Sequence, residues 1–154
     1  MSKIVITGGA GFIGSQLGYC LEKKGHDVIL VDNMSFGYKD NLMVNNHKIG
    51  NFYKMDIRSK KIFNLFKSVD YVFHFAGISS LPVCQSRPQY ALEVNVAGTA
   101  NVLEACRINN VKRVVFASTS AVYENNTKYP LLEEDEVNPD LIYSMSKLQA
   151  EMIC

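Results

Sequence analysis

A chain of 154 residues with 47% apolar side chains suits one domain that buries a continuous core. Its 16 basic and 15 acidic residues nearly cancel, and no basic stripe is present to neutralise a run of phosphates, which argues against nucleic acid as a partner. The four cysteines, Cys20, Cys84, Cys106 and Cys154, lack Cys-x-x-Cys pairing and zinc-like spacing to histidine; they read as reduced thiols of a cytoplasmic protein without a metal site, and no apolar run is long enough to span a bilayer.

The first apolar run, over 3–7, breaks at once into Thr7, Gly8 and Gly9, unlike a signal-peptide core, and reads as a strand. Further strands are expected over 27–31, 51–55, 71–75 and 113–118, each largely apolar as a doubly covered strand must be. Helices are expected between them, near 12–24, 59–67 and 88–109. In the last of these, Ala91, Val94, Asn95, Gly98, Val102, Ala105 and Cys106 recur at spacings of three or four and form one face of mostly small residues. The stretch over 123–140 carries acids and prolines and reads as a surface loop, and a final helix begins near Leu141. That helix meets no capping glycine or following strand, so the chain reads as ending early. Alternating strands and helices predict an α/β fold, a doubly wound parallel sheet.

The turn after the first strand spaces Gly8, Gly11 and Gly14 as Gly-x-x-Gly-x-x-Gly, with Phe12 and Ile13 opening the next helix. Glycine permits a sharp exit from the strand and close approach of backbone to a pyrophosphate, and the free amides of the helix then face the phosphates. The second strand runs into Asp32 and Asn33, where an acid hydrogen-bonds the adenosine ribose and repels a 2′-phosphate, which favours NAD over NADP although Lys39 lies near in sequence. Asp32 also reads as a plain strand-end turn residue.

Tyr143 and Lys147 stand four apart on the last helix and share a face. A tyrosine of ordinary pKa, about 10, is a poor base at neutral pH, and lowering it by about three units takes roughly 4 kcal/mol of phenolate stabilisation. A lysine beside it supplies part of that. Tyr19 and Lys23 repeat the spacing, so position decides between the two pairs. Tyr143 follows the strand ending in Ser118, Thr119 and Ser120, and ligands of open parallel sheets bind beyond the carboxyl ends of strands. Ser118 and Ser120 read equally well as backbone caps.

Taken together, these residues resemble the extended short-chain dehydrogenases/reductases, in particular the NAD-dependent nucleotide-sugar epimerases and dehydratases. The resemblance runs the whole chain in order: the glycine turn, Asp32-Asn33, Asp56-Ile57-Arg58, His74-Phe75-Ala76-Gly77, Asn95, Ser118-Thr119 with Val122-Tyr123, and Tyr143 with Lys147. It implies a Rossmann-type sheet of strand order 3-2-1-4-5, and a dinucleotide held by Gly8, Gly11, Phe12, Ile13, Gly14, Asp32, Asn33, Asp56, Ile57, Phe75, Ala76, Gly77, Asn95, Ser118, Tyr143 and Lys147. By the same resemblance Thr119 is the catalytic hydroxyl, Tyr143 the base, and Lys147 its cation and a ribose ligand. The implied reaction is epimerisation of a UDP-hexose at C4 by transient oxidation, with a nucleotide-diphosphate sugar as substrate, a homodimer as the complete enzyme, and the substrate domain outside this chain. A reductase, or a non-catalytic dinucleotide module, remains the alternative. Glu124 stands where the family usually has glycine after Val-Tyr, and Ser79 where galactose epimerases often carry lysine. A 4,6-dehydratase is disfavoured, because Ser120 and Ala121 replace the Asp-Glu pair that elimination needs.

Overall fold

The computed structural model describes residues 1–154. Five parallel strands, β1 (Lys3–Thr7), β2 (Asp27–Asp32), β3 (Asn51–Lys54), β4 (Tyr71–His74) and β5 (Arg113–Phe116), lie side by side in the order β3-β2-β1-β4-β5. The chain moves outward from β1 to β3 and then crosses back to β4, so β1 and β4 diverge at a switch point. Their carboxyl ends, Thr7 opposite His74, open a crevice there.

Alternation along each strand divides the core into two layers. Val5, Ile29, Val31 and Val72 pack with Ile57, Ile62, Phe66 and Val102 on one face, while Ile4, Ile6, Val28 and Leu30 pack with Ala10, Leu42 and Ile49 on the other. The second face is covered by α1 (Phe12–Lys23), which turns its buried Gly14, Ser15 and Gly18 to the sheet and can therefore lie close. The first is covered by α3, spanning 88–108, which is α-helical over Pro88–Leu92 and Gly98–Ile108 with a π-helical turn at Glu93–Ala97. Its expected small-residue face is buried throughout, from Ala91 to Cys106. The last helix, α4, spans Ile142–Met152 with Leu141 as its N-cap. No helix is long and apolar enough to cross a membrane.

Two expectations are corrected. The segment near 59–67 is a 3-10 helix, Lys60–Phe66, capped by the Ser59 hydroxyl; Ile62 and Phe66 are fully buried and Phe63 and Leu65 pack against the same core, so tertiary packing holds a stretch too short for a stable α-helix. The fifth strand stops at Phe116 instead of 118, since Ser118 and Thr119 spend their hydroxyls on side-chain and turn contacts. Two elements lie where the sequence assigned none: a short helix, α2 (Leu81–Ser86), between β4 and α3, and a small hairpin that pairs Met43–Val44 with His47–Lys48.

Candidate functional site

The crevice at the switch point is a cleft of about 450 Å³, well inside the range of cofactor sites. Two loops make its floor, one after β1 and one after β4. Gly8 joins them: its φ is +70°, and a Cβ there would lie 2.7 Å from the Ala76 amide nitrogen. Both the left-handed backbone and the contact exclude a side chain. A Cβ at Gly14 would collide with the Gly8 carbonyl, so the turn closes on its own helix. Gly11 is the N-cap of α1 and brings no side chain to the helix amides, and the first intrahelical bond runs from Ser15 N to Gly11 O. The amides of Phe12, Ile13 and Gly14 are thus left for a ligand, and an anion is the group they favour.

A buried relay fixes the same floor from beneath. Thr99 donates to the Asn95 carbonyl at 2.6 Å, which leaves its oxygen to accept from His74 Nε2 at 2.9 Å. His74 Nδ1 then accepts from the Thr7 hydroxyl at 2.6 Å, whose oxygen accepts the Ala76 amide at 3.3 Å. Burial, with a smaller push from the Lys147 charge, lowers the His74 pKa to about 3, so the ring is the neutral Nε2–H form this relay requires.

At the far end of the cleft each oxygen of Asp32 takes one amide, Ala10 N at 3.1 Å and Met34 N at 2.8 Å. The carboxylate is thereby held at the mouth beside Gly37, where a Cβ would come within 3.0 Å of both its oxygens. Asn33 also lines the cleft and donates to Asp56 at 3.1 Å.

Of the residues singled out in the sequence, Gly8, Gly11, Phe12, Ile13, Gly14, Asp32, Asn33, Ile57, Phe75, Ala76, Gly77, Ser118, Tyr143 and Lys147 line this cleft. Asp56, Asn95 and Thr119 do not. Asp56 is engaged by Arg58 at 2.8 Å and by Asn33, and the Arg58 hydrogen bond outweighs burial to bring its pKa down to about 2. Asn95 is buried and closes a ring with both backbone groups of Ile78 and with the Ser146 hydroxyl, so it shapes the loop after β4 from behind. The Thr119 hydroxyl accepts the Ala121 amide at 3.1 Å and caps the 3-10 turn Ser120–Tyr123. Ser118 reaches the wall, with its hydroxyl bonded to Glu151. Phe36, Gly37, Met55 and Tyr90 also line the cleft without having been anticipated. Gly37 had a readable signal in the loop following Asp32, while Tyr90, stacked under Arg58 with 5.3 Å to the ring, had none.

Tyr143 occupies the first turn of α4, packed against the apolar core at the edge of the cleft. Lys147 lies one turn deeper and buried, its ammonium 4.0 Å from the centre of the Phe116 ring. Burial lowers its pKa to about 8 against the opposing pull of Cys154 and Glu151. A phenol and a buried ammonium therefore share one cleft with a turn whose helix amides carry no side-chain cap.

A switch-point cradle overlooked by a Tyr-x-x-x-Lys helix defines a dinucleotide-binding domain of the short-chain dehydrogenase/reductase class. The family model described as NAD dependent epimerase/dehydratase matches residues 4–154, and the chain belongs to that family. It is 34% identical over 153 residues to UDP-glucose 4-epimerase of Streptomyces lividans, an alignment covering 97% of this chain and 45% of that protein. Among solved structures it superposes on UDP-N-acetylglucosamine 4-epimerase of Methanobrevibacter ruminantium, in complex with UDP-N-acetylmuramic acid, with a TM-score of 0.91 at 34% identity, covering 98% of this chain and 48% of that one. UDP-glucose 4-epimerase of Stenotrophomonas maltophila, with bound NAD and formylated UDP-arabinopyranose, gives a TM-score of 0.93 at 28% identity, covering 99% and 47%. The chain spans about half the length of the curated relatives it matches.

Proposed function

We propose that this chain is the NAD-binding half of a nucleotide-sugar epimerase of the UDP-hexose 4-epimerase type. The observation that carries this reading is the single cleft that joins the Gly8–Gly14 turn, Asp32, Tyr143 and Lys147. The residues fit the cofactor: unspent amides of Phe12, Ile13 and Gly14 receive the pyrophosphate, and the Asp32 carboxylate receives the adenosine ribose while opposing a 2′-phosphate. NAD, when bound, supplies a reversible two-electron acceptor. Tyr143 takes the proton from a sugar hydroxyl, and the Lys147 cation beside it favours the charge that results. After the sugar presents its other face, Tyr143 returns the proton to the same oxygen. Ser118, at the wall, can offer its hydroxyl to the reacting oxygen only by releasing Glu151; the Thr119 hydroxyl accepts the Ala121 amide and keeps its own proton to donate, but it does not line the cleft. The nucleotide-diphosphate sugar is the substrate of the whole protein, and this chain alone binds NAD without turnover.

Calorimetric titration tests the first half of this reading: NAD binds, and NADP binds more weakly. Replacing Tyr143 by Phe in the whole protein tests the second. Turnover falls by about 10³-fold, the scale of a lost acid/base group, while NAD affinity is retained. Loss of both together would assign the phenol a structural role and defeat the mechanism. Net oxidation of NADH without a sugar nucleotide would point to a simple reductase instead.

A further inference from the structure

Glu124 is one of the residues at which the chain departs from its family resemblance, and the structure gives that departure a task. It closes the 3-10 turn Ser120–Tyr123 that Thr119 opens, and its carboxylate crosses to the start of α4. One oxygen accepts the amides of Asp140 at 2.5 Å and Leu141 at 2.8 Å, and the other accepts the Ser144 hydroxyl at 2.8 Å. These three donors bracket Tyr143 in sequence. The N-cap residue of α4, Leu141, has no side chain able to cap the helix; Glu124 takes the Leu141 amide from a distance, the part played locally by the N3 carboxylate of a capping box. Gln85 takes the next amide, that of Ile142, at 3.0 Å.

We propose that Glu124 is a positioning residue, the fastening that fixes the first turn of the Tyr143 helix against the turn carrying Thr119. The inference rests on the assignment of Tyr143 as the acting phenol. Its force comes from where the two reactive groups sit on α4. Lys147 is held a turn deeper by burial, whereas Tyr143 belongs to the turn that frays when caps are lost. Loosening that turn moves the phenol relative to the ammonium and to the cofactor, with the cradle untouched. Glu124 does not line the cleft. Burial alone would raise its pKa, but the Leu141, Ser144 and Asp140 hydrogen bonds hold it below the usual range, so the fastening is anionic at neutral pH.

The test is NMR on this chain with NAD added, comparing wild type, Glu124→Ala and Glu124→Gln. In Glu124→Ala the NAD affinity stays within about twofold, because the cradle is remote, while the Met145 amide, whose bond to Leu141 closes the first turn, exchanges about fivefold faster, as for a lost cap. Cross-relaxation between the Tyr143 ring and the nicotinamide ring weakens at the same time. Glutamine keeps an oxygen for the two backbone amides and restores both signals. Wild-type cross-relaxation in Glu124→Ala would overturn the inference, as would a Glu124→Gln that behaves like alanine. If no variant binds NAD, the dinucleotide reading fails by itself; amide exchange then decides alone, and a Met145 rate in Glu124→Ala equal to wild type overturns the fastening.

Discussion

The two ends of the cleft are built from different materials. Around Gly8 the working groups are backbone amides, set in place by glycines that permit a left-handed turn and a close contact between loops. Around Tyr143 they are side chains, set in place by other side chains: Glu124 from 16 or more residues away, Gln85 from 57, and Asn95 reaching Ser146 across 51. At the first end a Cβ at Gly8 or Gly14 would collide with backbone atoms. At the second end, partners can be exchanged if the network stays closed, which is how a glutamate can be accommodated where the family usually has glycine. The glycine end is therefore the more brittle, and the Tyr143 end the more adjustable.

The most direct way to break this comparison is to place a Cβ at the cradle. Gly8→Ala puts a methyl 2.7 Å from the Ala76 nitrogen and 2.8 Å from the Phe75 carbonyl carbon, in a backbone conformation that disfavours it. The two loops separate, and NAD affinity measured by calorimetry falls by about 100-fold, or roughly 2.7 kcal/mol. An unchanged dissociation constant would mean that the turn's glycines serve packing alone.

At the other end the buried ammonium gives a reading in pH. Lys147 has a folded pKa of about 8 against 10.5 for the free side chain. Below pH 8 both states carry the proton and the folded state bears the full cost of burying the charge. Between about 8 and 10.5 the folded state has lost the proton and the unfolded state has not, so stability rises with pH across that window. Urea unfolding of wild type and Lys147→Met, compared at pH 7 and 10.5, removes the titration of tyrosines and cysteines common to both. Wild type gains about 2 kcal/mol on the variant over that interval. A constant difference would show that the ammonium is hydrated in the folded protein, and the side-chain end would then be less tightly closed than its geometry indicates.

The same contrast explains what the sequence disclosed. Backbone-built features leave local signatures: the Gly8, Gly11 and Gly14 spacing, the apolar strands, and Asp32 at a fixed remove from the turn all lie within short windows. The Asn45–Asn46 turn of the small hairpin was readable on the same terms, since both residues adopt positive φ, as was α2, with Ser80 before it and Pro82 in its first turn. Side-chain networks leave none. Nothing near Asn95 announces that its amide closes a ring with Ile78 and Ser146, and nothing near His74 announces the hydroxyls of Thr7 and Thr99 on either side of it. Family resemblance singled out Asn95 and Thr119, but the direction their side chains face depends on packing that only the folded protein specifies, and neither lines the cleft.

Asp32 is where the comparison is sharpened, because it is a side chain at the backbone-built end. Its two oxygens already hold the Ala10 and Met34 amides, so the carboxylate is fixed before any ribose arrives. An acceptor with a bond to spare on each oxygen suits the adenosine hydroxyls, and its charge opposes a 2′-phosphate. Asp32→Asn keeps the size and one acceptor but removes the charge, and its amide group must face one of the two backbone amides. NAD affinity is expected to fall by about tenfold, the scale of a charge-assisted hydrogen bond, while NADP loses less, so the ratio of their dissociation constants moves toward unity. Equal losses for both dinucleotides would show that Asp32 acts on the turn through Ala10 and Met34 alone, and cofactor choice would then rest with other residues at the mouth of the cleft, Phe36 and Gly37 among them.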